Sequence, residues 1–259
     1  ENVFTDTSNF PKVSAQSAMI IIDPYTGQVK GIVGGLGKKT ESRGLNRATQ
    51  AYRQPGSSIK PLSVYAAAYE NGKLTSASVI HDEEVTYGSW SPKNSYKGFK
   101  GSMLPRKAVE ISANIPAVKV LDESGVNYAY NFMKNTLNFS QIDERDIGLS
   151  PLALGGLTVG ASPKEMAAAY GIFVNGGKYI TPYTYTKVVD ESGKVLLENE
   201  AKGTQAISAE NAFIVSDLLS EVVNGTAGTG RAAKLSKMPT YGKTGTTNDD
   251  KDRWFVGFT

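Results

Sequence analysis

RQPGSSIKP, residues 53–61, sets Ser57 and Lys60 three residues apart where a helix begins. Pro55 and Gly56 supply the turn that leads in. An i, i+3 pair shares one helical face, so hydroxyl and amine can meet. A serine hydroxyl is a poor nucleophile near neutral pH and needs a proton acceptor beside it. Histidine is the common acceptor, yet the 259 residues hold one histidine, His81, and no cysteine. Lysine is the economical alternative. In isolation, S-x-x-K reads as a capping serine followed by a solvated lysine, so the pair takes its meaning from the rest of the chain.

Two further pieces follow in order. Ser112-Ala113-Asn114 falls in KAVEISANIPAVKVL (107–121), read as one helical stretch in which two polar side chains interrupt an apolar pattern. GKTGTT (242–247) follows a strand-like run and offers Lys243, Thr244, Gly245 and Thr246 on an extended backbone. S-x-x-K, a serine-x-asparagine element and K-T-G, in that order, are the signature of penicillin-binding proteins and class A β-lactamases. The likeness extends to IIIDPYTGQVKGIVGG (20–35), NRATQAYRQPGSSIKP (46–61), SANIPAV (112–118), SPKEMAAAYGIFVNGGKYITPY (162–183) and GKTGTTNDDKDRWFVGFT (242–259). From about residue 17 onward the chain resembles the transpeptidase domain of class A penicillin-binding proteins, the bifunctional peptidoglycan synthases.

That resemblance implies an α+β fold, a helix-covered antiparallel sheet beside an all-helical lobe with the active site between them. It implies that Ser57 attacks the carbonyl between the last two D-alanines of a peptidoglycan stem peptide and passes the acyl group to an amine on a neighbouring strand. Lys60 takes the serine proton and Ser112 relays a proton to the leaving amine. Asn114 holds the substrate amide, while Lys243, Thr244 and Thr246 receive the terminal carboxylate. The backbone N–H groups of Ser57 and Thr246 form the oxyanion hole. Lys243 is also the expected neighbouring cation that, with burial, depresses Lys60. The implied partners are stem peptides, donor D-Ala-D-Ala and acceptor amine, and β-lactam antibiotics. In a full-length protein a glycosyltransferase domain and membrane anchor come first, and the site faces the extracytoplasmic side of the bacterial membrane. A β-lactamase shares the acylating machinery, but its class A carboxylate is delivered by E-x-x-L-N, and Lys134 stands where the glutamate would precede Leu137-Asn138. A β-lactam sensor, acylated once without turnover, is the remaining alternative.

Composition bounds the rest. A net charge of +3 from 28 basic and 25 acidic residues, well mixed, carries no basic run of the kind that marks a nucleic-acid partner. The absence of cysteine excludes disulfides, thiol catalysis and cysteine-ligated metals, one histidine leaves few ways to build a zinc site, and no metal or cofactor is implied. GKT at 242–244 is no phosphate loop, because Lys237 occupies the position where glycine is required. No run approaches the roughly 20 apolar residues of a membrane span, so the fragment reads as soluble.

Residues 1–17 read as a linker or junction remnant and 18–259 as the catalytic domain. AMIIID with QVKGIVGG, and TYGKTGTT with RWFVGFT, read as two hairpins whose four strands share one sheet. Helices are expected at about 57–72, 105–123, 127–137, 162–175 and 208–223, and a further hairpin turns around Glu191–Lys194. Asn224-Gly225-Thr226, a glycosylation pattern, reads instead as a helix end, and His81 as a polar loop residue. Trp90, Tyr96 and Phe99 interleave with Lys93, Lys97 and Lys100 and read as tying down a long loop. Related domains continue past a strand like RWFVGFT with another strand and a helix, so this strand is expected to keep one edge without a partner from this chain.

Overall fold

The computed structural model describes residues 15–39 and 42–259; the expected junction, residues 1–17, lies almost wholly outside them. At the centre runs the helix that carries Ser57. It begins as a tight 3-10 turn, Gly56–Ile59, widens to a π-helix over Pro61–Ala66 and closes as regular α-helix over Ala67–Glu70. The sequence explains the tight start. Pro61 has no N–H to give the carbonyl of Ser57, so Lys60 N–H turns back to that carbonyl three residues away. From Ser58 to Tyr69 every residue is buried, the polar Ser58, Lys60 and Ser63 among the apolar ones.

Short elements enclose this helix. Those before it are β1 (Met19–Ile22), β2 (Val29–Val33) and α1 (Arg47–Gln50); α2 is the Ala67–Glu70 segment itself. A hairpin of β3 (Ile80–Asp82) and β4 (Gly101–Met103) then leads to α3 (Pro105–Glu110), α4 (Asn114–Ser124), α5 (Val126–Asn131) and α6 (Leu149–Leu154). The serine helix, α4, α5 and α6 pack on one another as the helical lobe. α7 (Pro163–Tyr170) precedes β5 (Lys178–Ile180), β6 (Lys187–Val189), β7 (Val195–Glu198) and β8 (Gly203–Gln205). α8 (Ala209–Asn224), β9 (Tyr241–Thr246) and β10 (Arg253–Phe258) complete the chain. α8 packs on β9, α7 on β10, and β9 on the serine turn. Ile59, Leu62, Tyr65, Leu121, Leu152, Met166, Tyr170, Leu219 and Val256 share one buried cluster, so lobe and strands are joined by a common core, each large apolar side chain contributing roughly 1.5–3 kcal/mol.

Three expectations are corrected. The four strands of the two main hairpins do not share a sheet: β1–β2 and β9–β10 are separate antiparallel pairs. α7 packs beneath both, but strands ladder only about 4.8 Å apart, and among the described residues none lies between them. Among the described residues β10 accordingly pairs along one edge only, as expected. The helix read over 105–123 is broken in two at Ile111–Ala113, where Ser112 takes a left-handed φ of 57°. His81 lies not in a loop but on β3, exposed, with its ring Nδ1 2.9 Å from the Ser102 hydroxyl. The hairpin around Glu191–Lys194 forms as β6–β7, and Gly225 ends α8.

Candidate active site

Ser57 stands half-buried on the 3-10 turn, with β9 laid against that turn at backbone distance. A Cβ on Gly245 would fall 2.1 Å from the Pro55 carbonyl oxygen, and one on Gly56, whose φ is +54°, would fall 2.6 Å from that of Thr246. Only glycine allows this approach. It brings the Thr246 backbone beside the start of the serine helix, whose first N–H groups have no intrahelical partner.

Lys60 follows one turn later and is wholly buried. The expected side-chain contact with Ser57 is not among the hydrogen bonds of the described residues. Lys60 Nζ instead donates to the carbonyls of Ser112 at 2.9 Å and Ala113 at 3.0 Å, and to Asn114 Oδ1 at 2.7 Å. The break between α3 and α4 explains this cage. Pro116 has no N–H to give the Ser112 carbonyl, Ala113 is the residue just before α4, and the left-handed turn at Ser112 sets both carbonyls toward the amine. The strained residue is thus a member of the candidate site.

From the other side comes Lys243, 0% exposed, whose Nζ donates to Ser112 Oγ at 2.8 Å and to the Thr244 carbonyl at 3.2 Å. Burial lowers the Lys243 amine to about 7. Burial foremost, and then the neighbouring Lys243, push Lys60 well below the ordinary lysine value. Ser112 sits between the two lysines, its carbonyl on one and its hydroxyl on the other. Asn114 Nδ2 donates to the Lys93 carbonyl at 2.8 Å. Thr244 Oγ1 lies 2.7 Å from Thr229 Oγ1, while Thr246 is exposed one pleat further on. The structure therefore gathers Ser57, Lys60, Ser112, Asn114, Lys243, Thr244, Gly245 and Thr246 at the seam between the lobe and β9.

Some neighbours carried no sequence signal. Thr229, in a glycine-flanked loop, has only its contact with Thr244 to single it out. Asp82 and Asn94 belong to no motif, and only the hydrogen bonds that link them to Asn114 reveal them.

Strand pairs covered by helices, beside a helical lobe with a serine turn at the junction, form the architecture of the penicillin-binding protein and serine β-lactamase class. The chain belongs to the penicillin binding protein transpeptidase domain family, whose model matches residues 17–259. It is 40% identical over 256 residues to penicillin-binding protein 1A of Clostridium botulinum, covering 94% of this chain and 30% of that protein. Penicillin-binding protein 4 of Bacillus subtilis is 37% identical over 252 residues, covering 97% and 39%. Among solved structures, penicillin-binding protein 1A from Haemophilus influenzae superposes with a TM-score of 0.80 at 30% identity, over 95% of this chain and 42% of that one. The D,D-transpeptidase domain of a peptidoglycan glycosyltransferase from Eggerthella lenta, at 23% identity and a TM-score of 0.73, shares the fold over 93% of this chain and 69% of that one. The chain thus spans roughly a third of the length of these curated relatives.

Proposed function

We propose that residues 18–259 are a serine-type D,D-transpeptidase domain that cross-links peptidoglycan stem peptides and is acylated by β-lactams. The observation that carries this reading is the pair of buried lysines flanking Ser112 beside the half-exposed Ser57. Lys60 meets three acceptors, one for each ammonium proton. Once one proton has left, its freed lone pair can take the proton of Ser57 as Oγ bonds to the penultimate D-alanine carbonyl carbon. The Ser57 and Thr246 N–H groups receive the oxyanion. Collapse breaks the C–N bond, and the departing D-alanine amine takes its proton through the Ser112 hydroxyl, which Lys243 orients. An acceptor amine then attacks the ester, and Ser57 regains its proton. Asn114 holds the substrate amide; Thr244 and Thr246, with Lys243 behind them, receive the terminal carboxylate.

Slow release of the acyl group fits the surroundings. Among the described residues no carboxylate hydrogen-bonds to Ser57, Lys60, Ser112 or Lys243, and Lys134 points to the Tyr130 hydroxyl instead. That disfavours a β-lactamase. In the longer protein a glycosyltransferase domain and membrane anchor would place this domain on the extracytoplasmic face of the cell membrane. Intact-mass measurement after incubation with benzylpenicillin tests the reading. One covalent adduct per chain, mapped to Ser57 and absent from Ser57→Ala, is expected. No adduct, or an adduct on Ser58 or Ser112, overturns it. Turnover of a thioester donor separates the enzyme from a sensor, which would show none.

A further inference from the structure

Helix α4 begins at Asn114, yet Ala113 before it has no side chain that can cap, and no cap bond comes from that residue. The cap arrives from 20 residues upstream. Asn94 Oδ1 accepts from the backbone N–H of Asn114 at 2.9 Å and of Ile115 at 3.2 Å, satisfying two donors that a helix N-terminus leaves open. The preceding carbonyl, of Lys93, takes the Asn114 side-chain amide. Asn94 Nδ2 in turn donates at 2.7 Å to Asp82 Oδ1. Asp82 is 0% exposed on β3, and its other oxygen accepts from the Tyr96 hydroxyl at 2.7 Å and Lys100 N–H at 2.8 Å. Every polar atom of the Asn94–Asp82 pair therefore has a partner, and the polarity of the pair is fixed: Asn94 can face α4 with its oxygen only because Asp82 takes its amine.

We propose that Asn94, oriented by Asp82, is a positioning residue for the reaction: it fixes the first turn of α4 so that Asn114 Oδ1 and the carbonyls of Ser112 and Ala113 stay around Lys60. This role rests on Ser57 and Lys60 being the reacting pair. A cage of three acceptors on one amine tolerates little displacement; the three lie on the consecutive residues Ser112, Ala113 and Asn114, and Asn94 holds the last of these by its backbone N–H. A remote cap of this kind lets the chain break the helix at Ser112 without leaving the second half of it free to fray.

Exchanging the pair tests this. Asn94→Asp sets acceptor against acceptor at Asp82, and Asp82→Asn sets donor against donor, at Asn94 in one orientation of the new amide and at the Lys100 N–H in the other. The double variant Asp82→Asn/Asn94→Asp restores every hydrogen bond with the polarity reversed. Each single variant is expected to slow penicillin acylation by about tenfold or more while folded, and the exchanged pair to return within about threefold of the unmodified chain. Ser162→Ala, which removes the cap of α7, serves as the comparison for lost stability and leaves the rate unchanged. Tyr96→Phe, which takes one donor from Asp82 without introducing a clash, should slow acylation by a smaller factor and covers the case where the single variants do not fold. In 13C-lysine-labelled protein the Lys60 Cε resonance should shift in the single variants and return in the exchanged pair. Folded variants that acylate at the unmodified rate, or an exchange that regains thermal stability but neither rate nor resonance, would overturn the proposal. If the unmodified chain takes up no penicillin, the serine reading fails on its own, and the Lys60 resonance still decides whether Asn94 positions that amine.

Discussion

Two lysines within one buried site divide the work by what each touches. Lys60 faces carbonyls and an amide oxygen, whereas Lys243 faces the Ser112 hydroxyl. Lys60→Ala should therefore slow acylation by the ~10²-fold or more that loss of a general base costs, while His81→Ala, on an exposed strand away from this cage, should leave the rate near its original value. The opposite result in stopped-flow acylation would end the lysine mechanism. Lys243→Ala probes the coupling. The charge of Lys243 lowers Lys60, so its removal raises the Lys60 pKa, and because the base must be deprotonated, the acidic limb of the acylation profile should move to higher pH. Burial is the larger cause and stays in place, so the move is partial; a limb that does not rise would break the link between the two amines. The identities of these residues were legible in the sequence because S-x-x-K, S-A-N and K-T-G carry them in order. Their contacts were not. Spacing put Lys60 beside Ser57, but the cage around its amine is built of backbone carbonyls at the left-handed turn of Ser112, and a carbonyl's direction has no one-letter code.

At the scale of elements the same limit applies. The serine helix, α7 and α8 were legible from apolar period and capping residues such as Ser162 and Ser208. The break between α3 and α4 was not, because apolar residues on both sides of Ser112 and Asn114 continue the same period, and a polar interruption alone does not tell a broken helix from a continuous one. The β3–β4 and β5–β8 pairs escaped notice because three-residue strands are too short to display a period of two. Glycine is where the sequence spoke about packing: K-T-G needs its third residue small because β9 lies on the serine turn. Gly245→Ala places a methyl 2.1 Å from the Pro55 carbonyl oxygen, and strand or turn must retreat. Penicillin acylation of Gly245→Ala should drop by about 10²-fold, as misplacing a reacting geometry by an ångström can do. By contrast Ser162→Ala should cost about 1 kcal/mol of stability through the lost capping box of α7 with the acylation rate intact. Equal rates in the two variants would mean that the contact of β9 with the turn does not set the site.

The whole molecule bears the cost of that site in its pH dependence. Unfolding returns both lysines to water, where each binds its proton up to about pH 10.4. Folded, Lys243 lets go near 7 and Lys60 is lowered in the same direction. Between about pH 7 and 10 the unfolded chain therefore holds more protons than the folded one, and stability must rise with pH across that window. Below it the burial penalty of the Lys243 ammonium is felt in full. The slope from one such group cannot exceed about 1.4 kcal/mol per pH unit. At the alkaline end the buried phenols of Tyr65 and Tyr170, both raised by burial, act oppositely, because the unfolded chain ionises them first. The window is therefore best read below pH 9.5. Urea unfolding midpoints at pH 6.5, 8.0 and 9.5 should climb in the unmodified chain and climb less in Lys243→Met, which keeps the volume of the side chain but removes the titrating amine. A midpoint that falls with pH, or a slope unchanged by Lys243→Met, would mean that the buried amine keeps its proton in the folded state, and a Lys243 ammonium at neutral pH would then hold Lys60 still lower.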